Sequence, residues 1–143
     1  MKRVTILGAT GSVGTSTLDL IERDPAAFEV VALTANCDVA KLAGVAKRVS
    51  AKLAVVADPT CHQALAEALA GTGIAVASGP DAVCDAARMD ADWTMAAIVG
   101  TAGLKPVLAA LEGGQAVALA NKESLVSAGD VMMQAAAATG ATL

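Results

Sequence analysis

The sequence predicts an α/β fold, a doubly wound parallel sheet with helices on both faces, and three observations carry that prediction. A short apolar run, Val4 to Leu7, is followed by glycines at three-residue intervals, Gly8, Gly11 and Gly14, and then by a helical pattern. Short apolar runs then alternate with segments of three-four apolar spacing, joined by connections too long for hairpins. Apolar residues make up 55% of the chain, yet Phe28 and Trp93 are its only aromatic residues. The core is therefore built from Ala, Val, Leu, Ile and Met, which suits buried parallel strands covered by Ala-rich helices.

Taken in order, Val4 to Leu7 reads as the first strand, and the helix after it carries Val13, Ser16, Thr17, Leu20 and Ile21 on one face. Asp24-Pro25 ends that helix, because the residue before proline is pushed out of the helical region. Glu29 to Thr34 is a second buried strand, and Asn36-Cys37-Asp38 turns into a helix with apolar positions Val39, Leu42, Ala43, Ala46 and Val49. The basic residues of that helix, Lys41, Lys47 and Arg48, read as a solvated face. Leu53 to Ala57 is a third strand, and Asp58-Pro59 starts a helix that stops at Gly71-Thr72-Gly73. Ile74 to Ala77 is a short fourth strand, and Gly79-Pro80 opens a helix through Val83, Ala86 and Ala87. Trp93 to Val99 is a fifth strand, followed by a small-residue loop from Gly100 to Gly103 and a helix through Leu104, Val107, Leu108 and Leu111. Ala116 to Ala120 is a sixth strand. Asn121-Lys122-Glu123-Ser124 then enters a helix reaching about Ala138, and Ala141 to Leu143 resembles the start of a further strand. The whole chain, residues 1–143, reads as one Rossmann-like nucleotide-binding domain.

The spacing of the opening loop has a chemical meaning. Gly8 lets the chain turn off the strand where a Cβ would clash. Gly11 lets the backbone approach a pyrophosphate, and Gly14 lets the helix pack closely. The unpaired N–H groups of the first helical turn and the positive end of its dipole then face an anion, with the hydroxyls of Thr10 and Ser12 beside them.

Composition removes several function classes. A formal charge of −4 with ten Lys plus Arg gives no electrostatic case for nucleic acid, and two aromatic residues provide no stacking surface. Cys37, Cys61 and Cys84 are widely spaced, with no C-x-x-C pair, and read as reduced thiols of a cytoplasmic protein. The N-terminus runs straight into a strand with no leader pattern. The most apolar run, Trp93 to Leu111, is interrupted by Gly100, Gly103, Lys105 and Pro106, which suits strand, loop and helix and not a membrane span.

Ligands of such sheets sit beyond the carboxyl ends of the strands. At the end of the second strand, where a NAD site usually places an acid, stand Thr34, Ala35 and Asn36, with Asp38 further on. The missing acid removes a repulsion against a 2′-phosphate and favours NADP, although no Arg or Lys stands beside it in the sequence. At Asn121-Lys122-Glu123-Ser124, Asn121 suits an N-cap and Glu123 the first turn, whereas Lys122 suits a first turn only if an anion is bound nearby. His62 reads as a surface or capping residue, and the cysteines as filler.

The segments TILGATGSVGTSTLDLI, VVALTAN, MAAIVGTAGLKPVLAAL and ALANKESLVSAG together resemble the N-terminal cofactor domain of the 1-deoxy-D-xylulose 5-phosphate reductoisomerases along the whole chain. The resemblance implies an enzyme of isoprenoid precursor synthesis that uses NADPH and a divalent metal, Mn2+ or Mg2+. Its substrate is a small sugar phosphate, which it rearranges to an aldehyde and reduces to 2-C-methyl-D-erythritol 4-phosphate. It also implies a homodimer, and the composition above gives no nucleic-acid or membrane partner. By the same resemblance, Thr10, Gly11, Ser12 and Val13 hold the cofactor phosphates. Asn121 and Glu123 contact the cofactor further along, Lys122 reaches the substrate, and Asn36 with backbone groups serves the cofactor's 2′-phosphate end. Where the family commonly has a basic residue followed by Asn, this chain has Cys37-Asp38. The resemblance places no catalytic residue and no metal ligand within the chain. The expectation is a cofactor-binding part whose metal-binding carboxylates and substrate lid lie beyond Leu143. Two alternatives are another GATG-type reductase and a non-catalytic NADP-binding module. The first needs a Cys-His or Tyr-Lys pair, and the chain has no Tyr.

Overall fold

The computed structural model describes residues 2–98, 103–114, 116–119, 133–134 and 136–140. In order the elements are β1 (Lys2–Leu7), α1 (Ser12–Arg23), β2 (Phe28–Ala35), α2 (Val39–Val49), β3 (Leu53–Val56), α3 (His62–Ala68), β4 (Ala75–Ser78), α4 (Pro80–Arg88), β5 (Trp93–Ala96), α5 (Leu104–Glu112) and β6 (Ala116–Leu119). The strands form one six-stranded sheet in the order β4-β3-β2-β1-β5-β6, and every pairing is parallel. Residues 133–134 and 136–139 are helical, which agrees with a last helix reaching about Ala138. The expected start of that helix at Asn121 and the expected strand at Ala141 lie outside the described residues.

The chain winds outward from β1 to β4 and then returns to place β5 on the other side of β1. The two directions put helices on opposite faces, as a right-handed crossover requires. On one face Leu18 and Ile21 of α1, Leu42 and Ala46 of α2 and Leu65 of α3 pack on Val4, Ile6, Ala54 and Val56. On the other, α4 covers Ala32 and Val55, and α5 packs with Leu7, Ala96 and Val117. The doubly wound sheet with helices on both faces is therefore as the sequence predicts. An irregularity between Val4 and Thr5 shifts the register of β1 against β2, so that Val4 meets Val30 and Thr5 meets Ala32. The extra residue explains why Val30 and Leu33, three apart, share one face.

The inward face of α1 differs from the expectation. Its buried residues are Gly14, Leu18 and Ile21, while Val13 is 41% and Leu20 63% exposed. Gly14 decides this. A Cβ there would collide with the Gly8 carbonyl oxygen and lie 2.8 Å from Ala9 Cα, so Gly14 has to face the sheet and the helix turns with it. Leu18 and Ile21 follow inward, each burial being worth about 1.5–3 kcal/mol.

The other elements depart by smaller steps. The helix expected from Asp58-Pro59 begins as a 3-10 turn, Pro59–Cys61, capped by Asp58. Strand β4 lies one residue later than Ile74 to Ala77, and β5 ends at Ala96, with Val99 outside the described residues. His62 is half-buried, and its Nδ1 lies 2.9 Å from Ser78 Oγ, so it ties the start of α3 to the end of β4. At the amino end of the sheet, Arg3 joins β1 to the segment before β5. Its amide donates to Asp92 Oδ2 at 2.7 Å, the Asp92 amide donates to the Arg3 carbonyl at 2.8 Å, and its guanidinium pairs with Asp90 at 2.8 Å. No helix among the described residues is long and apolar enough to cross a membrane.

Candidate functional site

The direction of winding reverses between β1 and β5, and in open parallel sheets ligands bind in the crevice beyond the carboxyl ends of the strands at such a point. The loop at that place is Gly8 to Gly11. Gly8 has φ +82°, and a Cβ on it would lie 2.8 Å from the Ala97 carbonyl oxygen, so the loop crosses the end of β5 in a conformation that glycine alone adopts easily.

Thr34, the next-to-last residue of β2, holds the loop. It is buried, its hydroxyl accepts the Gly8 amide at 3.0 Å, and its carbonyl accepts the Ala9 amide at 2.7 Å. From the sequence alone Thr34 stands at a strand end and shows no sign of this work. The available signal was a hydroxyl residue closing an apolar strand next to a glycine turn.

The loop delivers α1 with its N-terminus open. Gly11 is its N-cap, no side chain caps it, and its first turn holds no acidic residue. The Gly11 amide donates to the Gly8 carbonyl and the Thr15 amide to the Gly11 carbonyl, which leaves the amides of Ser12, Val13 and Gly14 without a helical acceptor, as at any helix start. Ser12 and Val13 are exposed, Thr10 half-buried. At Gly11 a Cβ would meet only the Gly8 carbonyl oxygen, at an ordinary 3.7 Å, so the chain itself has room for a side chain there. These features fit a phosphate group: free amide donors, a positive helix end and a small residue over the approach.

Beyond β2, Asn36 is exposed, and its carbonyl accepts the Asp58 amide at 3.0 Å. The Asp38 carboxylate caps α2 by accepting the Lys41 amide at 3.2 Å. Lys41 is not part of a merely solvated face: its Nζ donates to the Thr10 carbonyl at 2.9 Å. A cation therefore does stand at this strand end, brought there from the first turn of α2. Thr10, Gly11, Ser12, Val13 and Asn36 all lie at the carboxyl edge of β1 and β2. Asn121, Lys122 and Glu123 lie outside the described residues, as does most of the Gly100 to Gly103 loop.

Other candidates carry less. Among the described residues no group of three His, Cys, Asp or Glu could hold a metal ion. Cys61 and Cys84 are half-buried filler against the two main cores, and burial pushes the Cys84 thiol up. Cys37 departs from that reading, because it is exposed. Two surface hollows, one at Ile21, Pro25, Phe28 and Val49 and one at Ser50, Lys52 and Ile74, lie at the amino ends of the strands, away from the loop.

Residues 4–129 match the family model described as 1-deoxy-D-xylulose 5-phosphate reductoisomerase. A reductoisomerase of that name from Zymomonas mobilis is 59% identical over 142 residues, which is 99% of this chain and 37% of the relative. One from Gluconobacter oxydans is 57% identical over 142 residues, 99% of this chain and 35% of the relative. The Zymomonas mobilis structure, solved in complex with NADPH, superposes with a TM-score of 0.97 over 99% of this chain and 38% of its own. A reductoisomerase structure with NADPH, fosmidomycin and magnesium is 38% identical, with a TM-score of 0.95 over 99% of this chain and 35% of its own. The chain spans little more than a third of the length of the curated relatives it matches. It belongs to the 1-deoxy-D-xylulose 5-phosphate reductoisomerase family.

Proposed function

We propose that this chain is the NADPH-binding part of a 1-deoxy-D-xylulose 5-phosphate reductoisomerase. The observation that carries the reading is the open N-terminus of α1, uncapped and without an acid in its first turn, held at the reversal of winding by Gly8 and Thr34. Thr10, Gly11, Ser12 and Val13 hold the cofactor phosphates, and Asn36 lies on the adenosine side. Asn121 and Glu123 contact the cofactor further along, and Lys122 reaches the phosphorylated substrate. The bound nicotinamide supplies the hydride that reduces the rearranged aldehyde. The chain's own part is to bind and orient it: amide donors fix the pyrophosphate, and the Gly8 turn sets the loop at the mouth of the crevice.

The rest of the reading rests on the family. The activity is the conversion of 1-deoxy-D-xylulose 5-phosphate to 2-C-methyl-D-erythritol 4-phosphate, an oxidoreductase and isomerase step of isoprenoid precursor synthesis. It takes place in the cytoplasm, in a homodimer, with Mn2+ or Mg2+ held by residues beyond 143. Support for the activity, the cofactor and the metal comes from the relatives' names, from the NADPH in the Zymomonas mobilis structure and from the NADPH and magnesium in a further reductoisomerase structure.

Calorimetric titration with NADPH tests the cofactor reading. Binding by the wild type that is lost in Gly11→Leu, with the fold retained, is the expected result. Equal binding by both proteins overturns it. Turnover of 1-deoxy-D-xylulose 5-phosphate by the complete gene product, dependent on NADPH and a divalent metal, tests the activity.

A further inference from the structure

The dinucleotide reading leaves open how this chain would tell NADPH from NADH. The two differ by one 2′-phosphate on the adenosine ribose, which lies beyond the end of β2 beside the glycine loop. A cation there strengthens a preference for NADPH, and the residues that follow β2 do not supply one: Asn36 and Cys37 are neutral and Asp38 is an anion.

The cation comes from one turn further along. Lys41 reaches from the first turn of α2 across to the glycine loop and donates to the Thr10 carbonyl at 2.9 Å. Its ammonium therefore lies between the loop after β1 and the loop after β2. Arg3, Arg23, Arg48, Lys52 and Arg88 each sit on a carboxylate, whereas the polar partner found for Lys41 is a neutral carbonyl, and among the described residues it joins no ion pair. Exchanging that carbonyl for a phosphate pairs the ammonium with an anion in place of a neutral acceptor, which makes the hydrogen bond an ion pair as well. The neighbouring anion is restrained: the Asp38 carboxylate caps α2, where the helix dipole offsets part of its charge.

We propose that Lys41 is the residue that selects the 2′-phosphate. Its ammonium leaves the Thr10 carbonyl and pairs with the phosphate, while Asp38 opposes it and sets how strong the preference is. This inference rests on the dinucleotide reading above and goes beyond it by naming the specificity-determining side chain.

The test is calorimetric titration of the protein as its gene encodes it with NADPH, NADH and 2′,5′-ADP, for the wild type, Lys41→Met, Lys41→Arg and Asp38→Asn. The wild type is expected to prefer NADPH. Lys41→Met should weaken NADPH and 2′,5′-ADP about tenfold and leave NADH unchanged, and Lys41→Arg should restore most of the loss. Asp38→Asn keeps a capping side chain and removes the charge, so it should tighten NADPH a few-fold relative to NADH. Equal loss of NADPH and NADH in Lys41→Met would mean that Lys41 only steadies the Thr10 loop, and would overturn the proposal. No change in either nucleotide, or a wild type that binds both equally, would overturn it too while leaving the dinucleotide reading intact. A wild type that binds neither nucleotide would sink both.

Discussion

The Thr34 hydroxyl accepts the amide of Gly8 at 3.0 Å, and through that bond the end of β2 fixes the turn that leaves β1. The two residues are 26 apart in sequence. The Thr34 carbonyl adds the Ala9 amide at 2.7 Å, so one buried threonine holds two successive amides of the loop. Thr34→Val keeps the shape and removes the acceptor, leaving the Gly8 amide without it in a part-buried site. The expected cost is about 1–3 kcal/mol, read by urea denaturation, together with weaker NADPH binding from a looser loop.

The three loop glycines should separate in their effects. Gly14→Ala puts a Cβ onto the Gly8 carbonyl, and Gly8→Ala is both strained at φ +82° and crowded against Ala97. Each should lower stability by about 1–3 kcal/mol or more. Gly11→Ala has room within the chain, so its stability should change by less than about 1 kcal/mol while NADPH affinity falls. Thermal unfolding and calorimetric titration of the same three proteins check the pattern.

Acid should loosen the fold at two carboxylates, Asp92 and Asp58. The Arg3 amide, hydrogen-bonded to Asp92, holds that carboxyl below its ordinary value of 3.8, with the Arg3 charge adding to the effect. The Thr60 hydroxyl and amide do the same for Asp58. Both groups bind protons more weakly folded than unfolded. Their contribution is therefore present above the ordinary value and is lost as pH falls through the folded ones. Thermal midpoints measured from about pH 6 to about pH 3 should fall, and Asp92→Asn should flatten that slope while lowering the midpoint at neutral pH.

Thiol alkylation followed by mass spectrometry should label Cys37 first, because it is exposed. Cys84 should react slowly, since burial pushes its pKa up and the thiolate is the nucleophile. NADPH should slow the labelling of Cys37, which sits beside Asn36 at the end of β2. Unchanged labelling with the nucleotide present would place the adenosine elsewhere.

Much of this was legible in the sequence because it is local. The glycine spacing, the apolar strands and the Val83, Ala86 and Ala87 face of α4 are patterns of neighbouring residues, and the structure keeps them. The rotation of α1 was not legible: Val13 and Leu20 look inward by periodicity alone, and only the collision waiting at Gly14 turns them out. The work of Thr34 and Lys41 was missed for a related reason. Each acts on a loop 26 or 31 residues away, and a threonine ending a strand or a lysine starting a helix carries no mark of such reach. Thr10, Gly11, Ser12, Val13 and Asn36 do come together at one sheet edge, whereas Asn121, Lys122 and Glu123 lie outside the described residues.

The proposed function requires a dinucleotide phosphate to bind at the N-terminus of α1. Amide chemical shifts of the isotope-labelled protein, followed during titration with NADPH, test it most directly. The largest shifts are expected at Gly11, Ser12 and Val13, with a second group at Asn36 to Lys41. Saturable shifts confined to the hollow around Ser50, Lys52 and Ile74, with the glycine loop unmoved, would contradict it.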